Sequence, residues 1–287
     1  MQNTQDMIQR LNISGSRLSK SHRRIAEYIL QHYDKAVFMT AAKLGEMVNV
    51  SESTVVRFAV ALGYEGYPEL QQALQELVRH RLTATQRFEM SSDISEDEVL
   101  STVLKADMQN IRSTIDGIDN AAFLHAVQVI SGAKRIYILG LRSAAPLAQF
   151  AGYYLHYIFD DVRVVAAGST DVFEAISRIE AEDVLLGISF PRYSSRTIEA
   201  MSFARSRHAQ VIGLTDGPMS PLHDVADICL SMRTDMASFV DSMAAPMSVI
   251  NALIVALGIQ NREALNARFK QLEEVWDAYS VYMNEGK

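Results

Sequence analysis

Cysteine is nearly absent from this chain, with Cys229 the only one in 287 residues. A lone thiol closes no intrachain disulfide and builds no cysteine-rich zinc cluster, so a disulfide scaffold is excluded and a reducing compartment is expected. Long apolar runs are missing as well: no stretch of about 18 apolar residues occurs. The opening Met1-Gln2-Asn3-Thr4-Gln5-Asp6 does not lead a basic segment into an apolar one, and the expectation is a soluble, cytoplasmic protein. Repeats and low-complexity tracts are lacking. Positive charge is in deficit, 27 Lys and Arg against 34 Asp and Glu for a net −7, which excludes a uniformly basic nucleic-acid coat while leaving room for a local basic patch. What is abundant is apolar material, 48% of residues, and the length favours two domains over one.

The two halves are punctuated differently. Residues 1–84 carry apolar residues at helical spacing, with Ile25, Tyr28, Ile29 and Leu30 as one stripe and Leu70, Leu74, Leu77 and Val78 as another. This predicts an all-α domain. Residues 85–98 are polar and aperiodic and read as a linker; within it Ser95 and Glu98 have capping-box spacing for a helix running to about Ile118. After residue 133 short apolar runs at 135–139, 162–165, 183–188, 210–214 and 227–230 alternate with helical stretches. That rhythm predicts a five-stranded parallel sheet flanked by helices, making 99–287 an α/β domain closed by helices near 241–257 and 262–281.

Within the first half, Thr40 can cap a helix over 41–48, Asn49-Val50 makes a turn, and Ser51 caps a second helix from Glu52 to Leu62, stopped by Gly63. Helix, short turn and helix is a helix-turn-helix. Leu44, Met47 and Val48 on the first helix, and Val55, Phe58, Ala59 and Leu62 on the second, are the expected core positions. The complementary face of the second helix presents Glu52, Ser53, Thr54 and Arg57 at its N-terminal end. Short hydroxyls beside an arginine suit phosphate and guanine contacts in a major groove. Upstream, Arg10, Arg17, Lys20, Arg23 and Arg24 form a positive run free of acids. Charge is polarised overall: residues 1–87 hold 11 basic and 8 acidic side chains, the remainder 16 and 26, as expected if only the front meets phosphate. A helical bundle with a solvated charged face is the bland alternative.

In an open parallel sheet, ligands bind beyond the carboxyl ends of the strands, where helix N-termini offer unpaired N–H groups. Two strand ends have fitting chemistry. The first ends Gly140-Leu141-Arg142-Ser143, with a glycine for close approach, a hydroxyl and a cation. The third ends Ser189-Phe190-Pro191-Arg192-Tyr193-Ser194-Ser195-Arg196-Thr197, a loop dense in hydroxyls and arginines. Thr215 and Asp216 at the fourth strand end are candidates for the rim. An anion bound between these loops is the functional reading, and a plain helix cap the alternative.

Three segments resemble the N-terminal domain of RpiR/MurR-type bacterial transcription regulators: Leu18-Ser19-Lys20-Ser21-His22-Arg23-Arg24-Ile25, Val50-Ser51-Glu52-Ser53-Thr54-Val55-Val56-Arg57-Phe58, and Leu62-Gly63-Tyr64-Glu65-Gly66-Tyr67-Pro68. The second half resembles the SIS (sugar isomerase) domain that follows it in such regulators, over about 120–260. The resemblance implies double-stranded operator DNA as partner, with Lys20, Arg23, Arg24, Ser51, Ser53, Thr54 and Arg57 as contacts. It also implies a phosphosugar or related anionic effector, with Ser143 as the first-loop serine and Ser189, Ser194 and Thr197 on the phosphate loop. Gly140, Arg142, Arg192, Ser195, Arg196 and Thr215 complete the candidate set, and no cofactor or metal is implied. The chain departs from the family at Ala59-Val60-Ala61, where relatives often carry a basic residue after the phenylalanine; at Arg142, where a second glycine is common; and in a lengthened loop at 190–193. The expected product is a homodimeric or homotetrameric regulator rather than an enzyme, with helices 96–118 and 262–281 as dimer surfaces. The alternatives are a sugar-phosphate isomerase, for which Glu174, Glu180, Glu199, His208 and His223 supply bases by type only, and a metabolite-binding adaptor without a DNA role.

Overall fold

The computed structural model describes residues 18–37, 39–78, 83–89, 94–166, 171–236 and 239–283. Arg10 and Arg17 of the basic run, and the side chains of Leu77 and Val78, lie outside them. The chain divides into two compact units, Met1–Glu98 and Val99–Lys287.

The first unit is helical: α1 (Lys20–Gln31), the single turn α2 (Tyr33–Ala36), α3 (Ala41–Val48), α4 (Glu52–Ala61), α5 (Tyr67–Val78) and α6 (Ala84–Glu89). Caps set the boundaries. Ser19 Oγ accepts from His22 N at 3.2 Å, and Thr40 Oγ1 from Lys43 N at 3.2 Å, each quenching a first-turn donor. Asn49 ends α3 in the left-handed region, φ 54°, and the chain then folds back so tightly that a Cβ on Gly45 would lie 2.8 Å from Val50 O. Only glycine lets the turn pack this close. The core holds Ile25, Ile29, Leu44, Val48, Val55, Phe58, Ala59, Leu62, Leu70 and Leu74. Leu30 and Met47, expected there, are 40% and 51% exposed; each sits at the edge of its apolar stripe, which in so small a bundle is wider than the surface available to cover it. The stretch expected as linker is partly ordered. Thr83 and Gln86 form a reciprocal capping box, with Gln86 Oε1 2.9 Å from Thr83 N and Thr83 Oγ1 3.3 Å from Gln86 N, and α6 follows from it.

The second unit opens with α7 (Val99–Gly117) and α8 (Asn120–Gly132). Then come β1 (Ile136–Gly140), α9 (Ala145–Ile158), β2 (Val162–Val165), α10 (Val172–Ile176), β3 (Val184–Ile188), α11 (Ser195–Ser206), β4 (Gln210–Thr215), β5 (Ile228–Ser231), α12 (Ala244–Gln260) and α13 (Arg262–Ala278). All strand pairs are parallel, in the order β2-β1-β3-β4-β5. Alternate residues of each strand point to opposite faces. Ile136, Ile138, Val184, Leu186, Ile212 and Leu214 pack under α8, α9 and α12, while Tyr137, Leu139, Leu185 and Val211 pack under α10 and α11. A sheet covered on both faces needs continuous apolar runs, which is why the strands were visible in the sequence.

The crossover helix changes face between β1→β2, through α9, and β2→β3, through α10. β1 therefore lies between β2 and β3, and the loops leaving β1 and β3 diverge. That is the topological switch point, where an open sheet leaves a crevice at its carboxyl edge. Register places Gly140 opposite Ile188, bringing the two hydroxyl-bearing loops to this one crevice.

Candidate functional site

On α4 the core residues Val55, Phe58 and Ala59 are buried, leaving Ser51, Ser53 and Arg57 exposed and Thr54 half-buried. Ser51 occupies the N-cap position, but its side chain does not cap the helix. Its Oγ lies 3.0 Å from Ser53 Oγ and 2.8 Å from Thr54 Oγ1, and Arg57 Nη2 donates to Thr54 Oγ1 at 3.4 Å. Four polar side chains thus form one linked row at the positive end of a helix macrodipole. The Ser51 hydroxyl is turned outward, and although Thr54 N donates to Ser51 O at 2.9 Å, the N–H groups of Glu52 and Ser53 face an external acceptor.

The amino end of α1 packs against the same helix. The His22 ring meets Phe58 edge-on at 5.6 Å, and burial, then the adjacent Arg57 charge, hold its imidazole below the usual value of 6.5. A neutral ring suits this place, because a second cation beside Arg57 would repel it. Lys20, Arg23 and Arg24 are exposed; the Arg23 guanidinium donates to Leu18 O at 3.3 Å. Tyr67 serves structure: its hydroxyl donates to Met39 O at 2.7 Å, and burial raises its pKa to about 12.

At the carboxyl edge of the sheet, β1 runs into a 3-10 turn, Arg142–Ala144, before α9. A Cβ on Gly140 would sit 2.6 Å from Ala144 O, so glycine is what lets the turn fold back onto the strand. The loop after β3 is organised by its own hydroxyls. Ser189, buried, accepts from Ser194 N at 3.3 Å, and Ser194 Oγ caps α11 by accepting from Thr197 N at 3.4 Å. Thr197 is fully buried, and its Oγ1 has no hydrogen-bond partner. A buried orphan hydroxyl costs about 1–3 kcal/mol. Here it lies in the first turn of a twelve-residue helix, where anions bind.

Other candidates are engaged. Thr215 Oγ1 lies 2.6 Å from Ser220 Oγ and 3.2 Å from Asp216 Oδ1, while the Tyr193 hydroxyl donates to Asp216 Oδ1 at 2.7 Å. This lashes the β3 loop to the end of β4. Arg196 lies 5.7 Å over the Phe173 ring and 3.7 Å from Glu199. Ser143, Arg142, Arg192 and Ser195 are exposed.

Comparison with known proteins agrees with both halves. Residues 5–80 match the model of the rpiR-family helix-turn-helix domain, and residues 129–256 match that of the SIS domain. The chain belongs to the RpiR type. The Escherichia coli HTH-type transcriptional regulator HexR is 25% identical over 275 residues, covering 94% of this chain and 93% of its own. Among solved structures, the sugar isomerase domain of an RpiR transcription factor from Sphaerobacter thermophilus is 23% identical with a TM-score of 0.59, covering 62% of this chain and 99% of its own. The Vibrio vulnificus NanR protein, solved with ManNAc-6P, is 22% identical with a TM-score of 0.57, covering 94% of this chain and 98% of its own. These likenesses fix the fold of the RpiR-type chain, a helical front and an SIS domain with a five-stranded parallel sheet.

The bases weighed for an isomerase are dispersed over this SIS domain. Glu180 is held at 2.9 Å by Arg135 at the amino edge of the sheet, Glu199 faces Arg196, Glu174 and His208 are exposed, and His223 Nε2 lies 3.4 Å from Ser231 Oγ on the surface. Among the described residues, no group of three His, Cys, Asp or Glu side chains is placed to hold a metal ion. Burial pushes the Cys229 thiol up to about 11, which keeps it protonated and unreactive at neutral pH. Sequence reasoning missed the Tyr193–Asp216 tie. Its only signal was an acid placed directly after a strand end, which does not reveal a partner 23 residues away.

Proposed function

We propose that this RpiR-type chain is a transcription regulator whose front unit grips operator DNA and whose SIS domain binds a phosphorylated carbohydrate-pathway metabolite that controls that grip. The observation that carries this reading is the exposed Ser51–Ser53–Thr54–Arg57 row on the second helix of a helix-turn-helix. Its hydroxyls and N-terminal N–H groups meet phosphate, and Arg57 reads a base edge, with Lys20, Arg23 and Arg24 on flanking phosphates. In the SIS domain the ligand's phosphate takes Ser189, Ser194, Thr197 and the start of α11, with Ser143, Ser195 and Gly140 facing it across the crevice. Support for a sensor over an isomerase comes from the dispersal of the candidate bases, and from relatives named as transcriptional regulators.

The working form is a homodimer or a pair of dimers, housed with the DNA in the cytoplasm. Its apolar contacts come from α7 and α13: Leu100, Leu104, Met108 and Ile115 on α7 are 59–72% exposed, and α13 buries none of its residues. Exposed apolar surface on this scale marks association. Among the described residues, no single helix is long and apolar enough to cross a membrane.

The test is a band-shift series with genomic fragments at low salt, with and without sugar phosphates. Retarded fragments released or tightened by a sugar phosphate are the expected result. Arg57→Ala should cost about 1–3 kcal/mol in operator affinity, and an Arg57→Ala protein that binds its operator normally overturns the assignment.

A further inference from the structure

Several arginines of the SIS domain are neutralised. Arg135 is bound by Asp183 and Glu180, each at 2.9 Å, Arg163 by Asp161 at 2.8 Å, Arg268 by Asp160 at 2.7 Å and Arg205 by Asp227 at 3.5 Å. Two that stand at the switch-point crevice are not, and their place sets them apart from the unpaired arginines elsewhere. Arg142, two residues beyond β1, and Arg192, four beyond β3, have no ion pair or side-chain hydrogen bond among the described residues, although residues 88–287 hold 26 acids against 16 bases. Both also stand in the left-handed region, with φ 56° and 67°, a conformation that costs a residue with a Cβ about 1–2 kcal/mol and that glycine adopts freely. Long cationic side chains are thus kept where backbone geometry favours glycine, one on each loop flanking the crevice.

A phosphate monoester does not require them. It carries about −1.5 to −2 charge near neutrality. Two serines, the start of α11 and the orphaned, fully buried Thr197 Oγ1 already supply its donors. Two surplus guanidiniums beside a filled anion site match a second planar acid on the same molecule, because the guanidinium fork pairs with a carboxylate through two parallel bonds.

We propose that the effector is doubly acidic, a sugar phosphate bearing a second anionic group, carboxylate or phosphate, which Arg142 and Arg192 recognise across the crevice from Thr197. This rests on the reading of the Thr197 loop as a phosphate site. The test is calorimetric titration of the full chain with pairs that share a carbon skeleton: glucose 6-phosphate against 6-phosphogluconate, and fructose 6-phosphate against fructose 1,6-bisphosphate. The doubly acidic member of at least one pair should bind about tenfold tighter or more, a step of about 1.4 kcal/mol. The two pairs separate a carboxylate from a second phosphate. Arg142→Gln and Arg192→Gln should erase that preference while leaving the monophosphate affinity within about twofold; thermal melts of both variants check that they fold. Equal affinity within both pairs, or an equal loss for both members in the variants, overturns the second-acid assignment and leaves the phosphate site standing. Failure of all four compounds to bind overturns the phosphate-site reading, and this proposal with it.

Discussion

Thr197 concentrates the energetics of the proposed ligand site in one atom. Its hydroxyl is fully buried and unpartnered, so the ligand-free protein carries a penalty of about 1–3 kcal/mol that an acceptor from outside would relieve. Thr197→Val keeps shape while removing the polar atom, and it should separate stability from function. The melting temperature should hold or rise by about 2–4 °C, the shift that 1 kcal/mol produces in a domain of this size. Sugar-phosphate affinity should meanwhile fall about tenfold or more, the loss of one hydrogen bond to a charged group. Calorimetry of both quantities decides the matter: a variant that melts several degrees lower and binds as before would make Thr197 an ordinary core residue. The density of hydroxyls in this strand-to-helix loop is legible in the sequence, where it reads either as an anion site or as a plain helix cap. Their division of labour is not. That Ser194 caps α11, Ser189 supports the loop and Thr197 is left orphaned is fixed by backbone angles that composition does not encode.

At the scale of elements, the local signals read well and the distant ones did not. Short apolar runs located five strands to within a residue or two, because a sheet buried on both faces leaves no other pattern; Thr40, Asn49 and Gly63 bracketed α3 and α4 through capping chemistry. Strand order has no local signature, so the switch point that joins the β1 and β3 loops emerged only with the fold. The same holds for the segment after β5. Asn110 Nδ2 donates to Asp235 O at 2.7 Å and its Oδ1 accepts from Asp235 N at 3.0 Å. Thr114 Oγ1 accepts from Arg233 N at 2.9 Å, and Ser242 donates to Asp107 at 2.6 Å. Spacing marks α7 as an amphipathic dimer surface without showing what its other face meets; Asn110 and Thr114 are its buried residues, and their partners lie 125 and 119 residues away. The polar face of α7 thus clasps a segment leaving the ligand edge of the sheet. Asn110→Ala should speed hydrogen exchange at the Asp235 amide by about tenfold or more, consistent with about 1–3 kcal/mol for the orphaned groups. Exchange in β3 should stay unchanged, and an unaltered Asp235 amide would show that the clasp carries no local stability.

For the whole molecule, the length of α4 sets the requirement. A helix of ten residues is about 15 Å long and touches only a few base pairs, while each correct base contact contributes about 1–3 kcal/mol. One such helix cannot pick an operator out of a genome; two, set about 34 Å apart on successive major grooves, can. The proposed dimer would meet this requirement, and charge indicates where its contact would lie. Residues 88–287 carry the acidic excess, which DNA repels, and they also carry the exposed stripe Leu100, Leu104, Met108 and Ile115. Hiding that stripe against a second copy joins two DNA-reading units through the part of the chain that gains nothing from touching DNA. Sequence reading expects 96–118 to be a dimer surface; which of its residues stand outward became visible only once Asn110 and Thr114 took the inward face. Leu104→Glu with Met108→Glu places charge on the exposed side of α7, away from that clasp. The double variant should run as a smaller species by light scattering, retain sugar-phosphate affinity, and lose about 10²–10⁴ in operator affinity, the range that bivalent attachment provides. A double variant of unchanged mass would move the dimer contact to α13. One that becomes monomeric yet binds its operator as before would remove the need for a partner.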